Sequence, residues 1–330
     1  MGDFNQLPML LLRFVITGLL IASTASAQFT DVINSNRPGQ SMAAFSVGRT
    51  VFQAETGLYG INENHDLLKY DASGYGAELN LRYGAFFEQF EIILESQYQR
   101  DHYQSETIDE YRSGLRQMRL GAKYLVYDPN KNYERKPNLY SWRANHSFNW
   151  HDFIPAVGVY AGFNMNFFNS PYSGLGEEKI SPKVMLLTQN QFGRWVLVGN
   201  IYVDKIITNY MTYGYVVTVT RGFNDRWSGF IENQGIKSDL YADGIFRLGA
   251  AFLIKENIQV DASIGKNIKE TPGIITGGIG LSWRFDENYK DVFIRAPEDE
   301  KGKDKDKKDK KAKKDKKKRV DEVGGEEKPE

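Results

Sequence analysis

GYGAELNLRYGA, Gly74 to Ala85, decides the fold. In an extended chain Tyr75, Ala77, Leu79, Leu81, Tyr83 and Ala85 share one face, and Gly76, Glu78, Asn80, Arg82 and Gly84 share the other. A period of two is the signature of a strand with two unlike faces. One face is wholly apolar with tyrosines along it, and the other carries an acid and a base. A soluble sandwich also alternates, but so complete an apolar face with aromatic residues at its ends fits contact with lipid, the charged face then lining a barrel interior.

The same pattern recurs along the chain. Twelve segments of about ten residues alternate in this way: 49–60, 74–86, 88–100, 114–127, 153–168, 180–192, 194–205, 212–223, 226–236, 244–254, 257–266 and 274–285. In the third, Phe90, Ile92, Leu94 and Tyr98 oppose Glu91, Glu95 and Gln97; in the last, Ile275, Gly277, Ile279, Leu281, Trp283 and Phe285 oppose Thr276, Ser282 and Arg284. Short turns fall at Phe87–Gln89, Gly193–Trp195, Asn224–Arg226 and Lys255–Asn257, and longer polar connections at 61–73, 101–113, 169–179, 206–211, 237–243 and 267–273. The expectation is an all-β fold: a transmembrane antiparallel up-and-down β-barrel of about twelve strands, with both termini on the short-turn, periplasmic side of an outer membrane. Connection 128–152 is long where a short turn is expected. It reads either as a short amphipathic helix at the inner interface or as a loop over the barrel mouth. With 101–112 it leaves fourteen strands open as an alternative.

The ends of the chain have their own character. Arg13, the apolar run Phe14–Ser23 and Ala25-Ser26-Ala27 form a signal peptide over 1–27. The expected organisation is then a periplasmic leader over 28–48, a barrel over 49–285 and a tail over 286–330. The tail contains Lys301 to Arg319, with 13 basic and 4 acidic residues, so a formal net charge of zero hides an acidic remainder. Such a block buries too little apolar area to fold and reads as disordered. Its docking candidates are Lys307, Lys308, Lys310, Lys311, Lys313, Lys314, Lys316, Lys317, Lys318 and Arg319. Three readings of the tail stay open: a solvated spacer, a contact with anionic lipid headgroups, or a contact with an acidic periplasmic partner or cell-wall polymer. Nucleic acid is excluded by location.

Catalytic signatures are missing from the sequence. The chain has no Cys and four His, namely His65, His102, His146 and His151, none at metal-ligand spacing. Glu91 and Glu95 share a strand face, but at a rise of about 3.4 Å per residue they stand roughly 13 Å apart, beyond the reach of a glycosidase pair. No catalytic, cofactor-binding or metal site is expected.

The inward charges are more informative as a set. Strand parity places Glu55, Glu78, Arg82, Glu91, Glu95, Arg119, Lys123, Lys183, Asp204, Glu232, Arg247, Asp261 and Arg284 toward the lumen. Two readings follow. The charges either pair into a lattice that fills the barrel, because unpaired buried charges are expensive, or they line a polar channel of weak ion selectivity.

Two stretches carry a resemblance. Asn36-Arg37-Pro38, Ala44-Phe45 and Glu55-Thr56-Gly57, with the closing GIGLSWRF (Gly278–Phe285), resemble the outer-membrane transporter barrels related to the MetA-pathway phenol-degradation family, of Bacteroidetes type. The resemblance implies a passive outer-membrane channel for small solutes, surrounded by outer-membrane lipid and needing no cofactor. The Lys-rich tail departs from that pattern. It keeps a second reading in play, a non-conducting accessory barrel of an assembly or secretion complex, docked through the tail.

Overall fold

The structure, a computed structural model, describes residues 33–131, 133, 140, 150–167, 170–174 and 177–286. The signal peptide, the greater part of 128–152, His146 and the Lys-rich tail lie outside the described residues.

Among the described residues are twelve strands: β1 (Phe52–His65), β2 (Tyr70–Gly84), β3 (Phe90–Ser105), β4 (Asp109–Tyr127), β5 (Ala156–Met165), β6 (Ile180–Phe192), β7 (Trp195–Asp204), β8 (Thr212–Gly222), β9 (Trp227–Ser238), β10 (Ala242–Lys255), β11 (Ile258–Asn267) and β12 (Gly273–Phe285). Each pairs antiparallel with its neighbours in sequence. β1 closes on β12, from Phe52 opposite Phe285 to Asn64 opposite Gly273. Closure leaves no sheet edge, so the strand backbones satisfy one another without water. The end where β1 begins and β12 finishes is called proximal here, and the opposite end distal.

The barrel is inside out relative to a soluble protein. On β9, Ile231 is 67% exposed while the next residue, Glu232, is fully buried. Leu58, Ile201, Leu248 and Ile279 are likewise outward and exposed. An apolar exterior around a charged interior is stable only with hydrocarbon outside, which makes the barrel a transmembrane one. Aromatic residues collar the proximal rim: Trp283 packs on Phe285 at 4.3 Å, Phe285 on Phe52 at 5.8 Å and Trp227 on Phe252 at 4.7 Å between ring centres.

At the distal end the strands run further than the sequence pattern suggests. Most of 61–73 and 101–113, expected as loops, is strand, and the count is twelve rather than fourteen. The reason is solvent. Asn62, Glu63, Asn64, Asp71 and Ser73 are polar on both faces because both faces have left the apolar belt, and the alternation that marks a strand disappears there. A bulge adds to this. Gln97 pairs with Gln117 but Tyr98 with Leu115, so Arg116 is an extra residue and the parity of β4 inverts beyond it. In the proximal connection 128–152 and its continuation, the described part holds one 3-10 turn, Trp150–Phe153, with Phe153 packed on Phe192 at 5.2 Å.

Candidate functional site

The site is the barrel lumen, and its central feature is the leader. Sequence reading places this segment outside the barrel. In the structure residues from Ile33 onward lie within it, bonded to inward side chains all round the wall. A segment of irregular backbone inside a barrel has no neighbouring strand, so each buried N–H and C=O must find a side chain. The wall supplies them. Glu232 Oε2 accepts from Gln40 N at 2.9 Å and from Ser41 N at 3.2 Å. Asn200 accepts from Met42 N at 2.6 Å and donates back to Met42 O at 2.9 Å. Gln189 accepts from Ala44 N at 3.0 Å, and Glu91 from Val47 N at 3.0 Å. Lys123 Nζ donates to Ala43 O at 3.1 Å and to Phe45 O at 2.9 Å. Between these anchors Met42 and Ala44 pack with Ile93, Leu125, Ala156, Tyr160, Met185 and Leu187 in an apolar cluster inside the lumen. Burial of a side chain the size of Met42 contributes about 1.5–3 kcal/mol.

The thirteen inward charges fall into connected groups. Arg82 lies between Glu55 (2.9 Å) and Glu91 (2.6 Å), and Glu91 also holds Lys123 at 3.1 Å; all four side chains are fully buried. Arg119 pairs with Glu95 at 2.8 Å and with Asp204 at 3.5 Å, and Lys183 reaches Asp204 at 3.6 Å. Arg247 pairs with Glu232 at 2.9 Å. Arg284 pairs with Asp286 at 2.9 Å, where the chain leaves β12. The two remaining acids, Glu78 and Asp261, pair with a residue of the leader. Arg37 reaches Glu78 at 2.5 Å and Asp261 at 3.3 Å. The leader thus supplies a cation for two wall acids.

Parity from sequence misses several interior residues. Asp101 pairs with Arg112 at 2.9 Å, Arg112 lies over the Tyr103 ring at 4.3 Å, and Arg116 donates to Gln99 at 2.7 Å. Asp101 and Arg112 lie in a stretch taken for a loop, and Arg116 is the bulge residue at which parity flips. Tyr172, from the β5–β6 connection, donates to the backbone carbonyl of Arg112 at 3.2 Å and draws that connection toward the lumen. Nothing periodic marks Arg37, although its tripeptide stands out in the sequence.

The space that remains is divided into cavities. One of about 110 Å³ toward the distal end is bordered by Arg116, Arg119, Tyr172 and Asp204. One of about 80 Å³ is bordered by Glu78, Glu95, Gln97 and the leader, and shares Gln117 with the first. One of about 200 Å³ lies between the leader and the wall formed by Gln189, Val196, Val198, Thr218 and Ala251. The three described histidines border none of these. His102 pairs with Asp109 at 2.6 Å, His65 accepts from Leu68 N at 3.1 Å, and His151 stacks on Tyr133. No group of three metal-ligating side chains occurs among the described residues.

Comparison with known proteins agrees with the fold. The family model described as "Putative MetA-pathway of phenol degradation" matches residues 35–285. The crystal structure of an outer membrane channel from Pseudomonas putida F1 superposes with a TM-score of 0.51 at 12% identity, covering 77% of this chain and all (100%) of that one. The translocator domain of the autotransporter NalP from Neisseria meningitidis matches at 10% identity over 76% of this chain and 90% of that one, TM-score 0.42. The monoaromatic hydrocarbon channel CymD matches at 10% identity over 72% and 89%, TM-score 0.38. At 12% identity the likeness to the Pseudomonas channel is one of fold. No curated protein matches the chain.

Proposed function

The chain belongs to the MetA-pathway phenol-degradation family, and from that premise we propose that it is an outer-membrane channel for the passive passage of small solutes, held closed by its own leader. The proximal end faces the periplasm and the distal end faces outward, as short proximal turns such as Gly193-Arg194 suggest. Outer-membrane lipid surrounds the apolar exterior. Passage needs neither cofactor nor chemical step. A solute entering at the distal end meets a lumen of paired charges and must pass the leader to reach the periplasm.

The observation that carries this reading is a series of lumen cavities, two of them divided by a segment that is hydrogen-bonded to the wall but belongs to none of its strands. A strand of the barrel cannot leave without unfolding it, whereas the leader can shift by exchanging its side-chain partners for water.

A second reading draws on the same filled lumen. A barrel packed with ion pairs and its own leader also suits a non-conducting accessory subunit, docked through the basic tail to an acidic partner, cell-wall polymer or anionic lipid. Deletion of 301–330 separates the two. A channel keeps its conductance without the tail. An accessory subunit conducts in neither form and loses its partner on deletion, read by co-purification from cross-linked outer membranes.

A further inference from the structure

Two of the lumen cavities meet at a single partition. The cavity of about 80 Å³ and the cavity of about 200 Å³ are both bordered by Asn36, Arg37, Gly39 and Ser41 of the leader. Arg37 is the one charged residue around the larger cavity among the described residues. Its guanidinium lies against the lumen wall where the barrel closes. It pairs with Glu78 on β2 and Asp261 on β11, and between them it lies against two glycines, Gly57 on β1 and Gly280 on β12. Those glycines are direct register partners. A Cβ on either would fall on the guanidinium, far inside contact distance. The two glycines therefore form a notch that a side chain at either position would fill. Two residues along the leader, an added Cβ on Gly39 would stand 2.6 Å from Glu232 Oε2.

We propose that Arg37, seated in the Gly57–Gly280 notch, is the bolt of the channel: it closes the path between the two cavities and sets the charge that a passing solute meets there. The proposal rests on the channel reading above. Three features act together in it. The carboxylates of Glu78 and Asp261 fix the guanidinium from both sides. The glycines let it seat against the wall, and this seat pins the leader across the path. The Arg37 carbonyl accepts from Gln259 Nε2 at 3.2 Å, which holds the backbone of the partition. Without the arginine, two inward carboxylates face the path with no cation between them.

The test is single-channel conductance and reversal potential under a KCl gradient, on folded barrels verified by heat-dependent gel mobility. Four forms of the mature chain are compared: the parent, Arg37→Gln, Gly280→Ala, and a form lacking residues 33–47. Gly280→Ala changes no charge and meets only the far end of a flexible side chain, so it moves the guanidinium while sparing the strand. Both point variants are expected to conduct severalfold more than the parent. Arg37→Gln in addition shifts the reversal potential toward cations, through the exposed Glu78 and Asp261. If the form lacking 33–47 conducts while both point variants match the parent, the bolt is wrong and the channel stands. If the folded form lacking 33–47 does not conduct, the channel reading fails and the bolt fails with it.

Discussion

Replacing Arg82 by Leu tests whether the proximal lumen is dry and its charges mutually dependent. Arg82 is fully buried and donates to Glu91 through Nε at 2.6 Å and Nη2 at 3.2 Å, and through Nη1 to Glu55 at 2.9 Å and to the Asn34 carbonyl at 2.6 Å. In the variant, Glu91 keeps Lys123 at 3.1 Å and Val47 N at 3.0 Å. Glu55 keeps only neutral donors, Gln53 at 2.7 Å and Asn36 N at 3.3 Å, and no cation. One buried carboxylate is thereby orphaned, at a cost of about 3–5 kcal/mol. Adding Glu55→Gln removes the orphan, so the double variant should recover part of the loss, with a coupling of about 0.5–3 kcal/mol. The assay is reversible guanidinium unfolding of the barrel in phospholipid bilayers, followed by tryptophan fluorescence. A loss below about 1 kcal/mol in Arg82→Leu, as for an exposed pair, or strict additivity in the double variant, refutes a dry, coupled lumen.

Other expectations follow from the same geometry. Lys123→Met removes both hydrogen bonds to the Ala43 and Phe45 carbonyls and should weaken leader docking by about 1.5–3 kcal/mol per charged hydrogen bond lost; hydrogen exchange of the 42–47 amides should accelerate while that of the strands does not. Ile231→Arg, on the exposed outer face of β9, should destabilise the barrel by up to about 2–4 kcal/mol in bilayers if the site lies near the midplane; an unchanged unfolding midpoint would contradict a lipid-facing β9. Deletion of 301–330 should leave unfolding and conductance unchanged, and a change in either would tie the tail to the barrel's function.

Much of the fold is legible in the sequence because the bilayer imposes it. The strands have hydrocarbon on one side and a polar, largely charged lumen on the other, so residues such as Leu79, Arg82, Ile231 and Glu232 announce their face by type alone. Legibility ends where that contrast ends. Beyond the apolar belt, Asn62 to Asn64 and Asp101 to Arg112 meet water outside and polar groups inside, and the strand looks like a loop. At Arg116 one extra residue reverses parity, which no local pattern marks. The leader is illegible for a different reason. It is held by partners far away in the chain, Gln40 and Ser41 by Glu232 and Met42 by Asn200. The tripeptide Asn36-Arg37-Pro38 and the pair Thr56-Gly57 stand out as sequence, but only the closure of β1 on β12 brings Arg37 to Gly57 and Gly280.

The most direct test of the account is the single-channel conductance of the purified mature barrel in a planar bilayer, with the leader intact and with residues 33–47 removed. The account predicts small or infrequent openings in the intact chain and large, steady openings once the leader is gone. A folded, leaderless barrel that stays silent would contradict it.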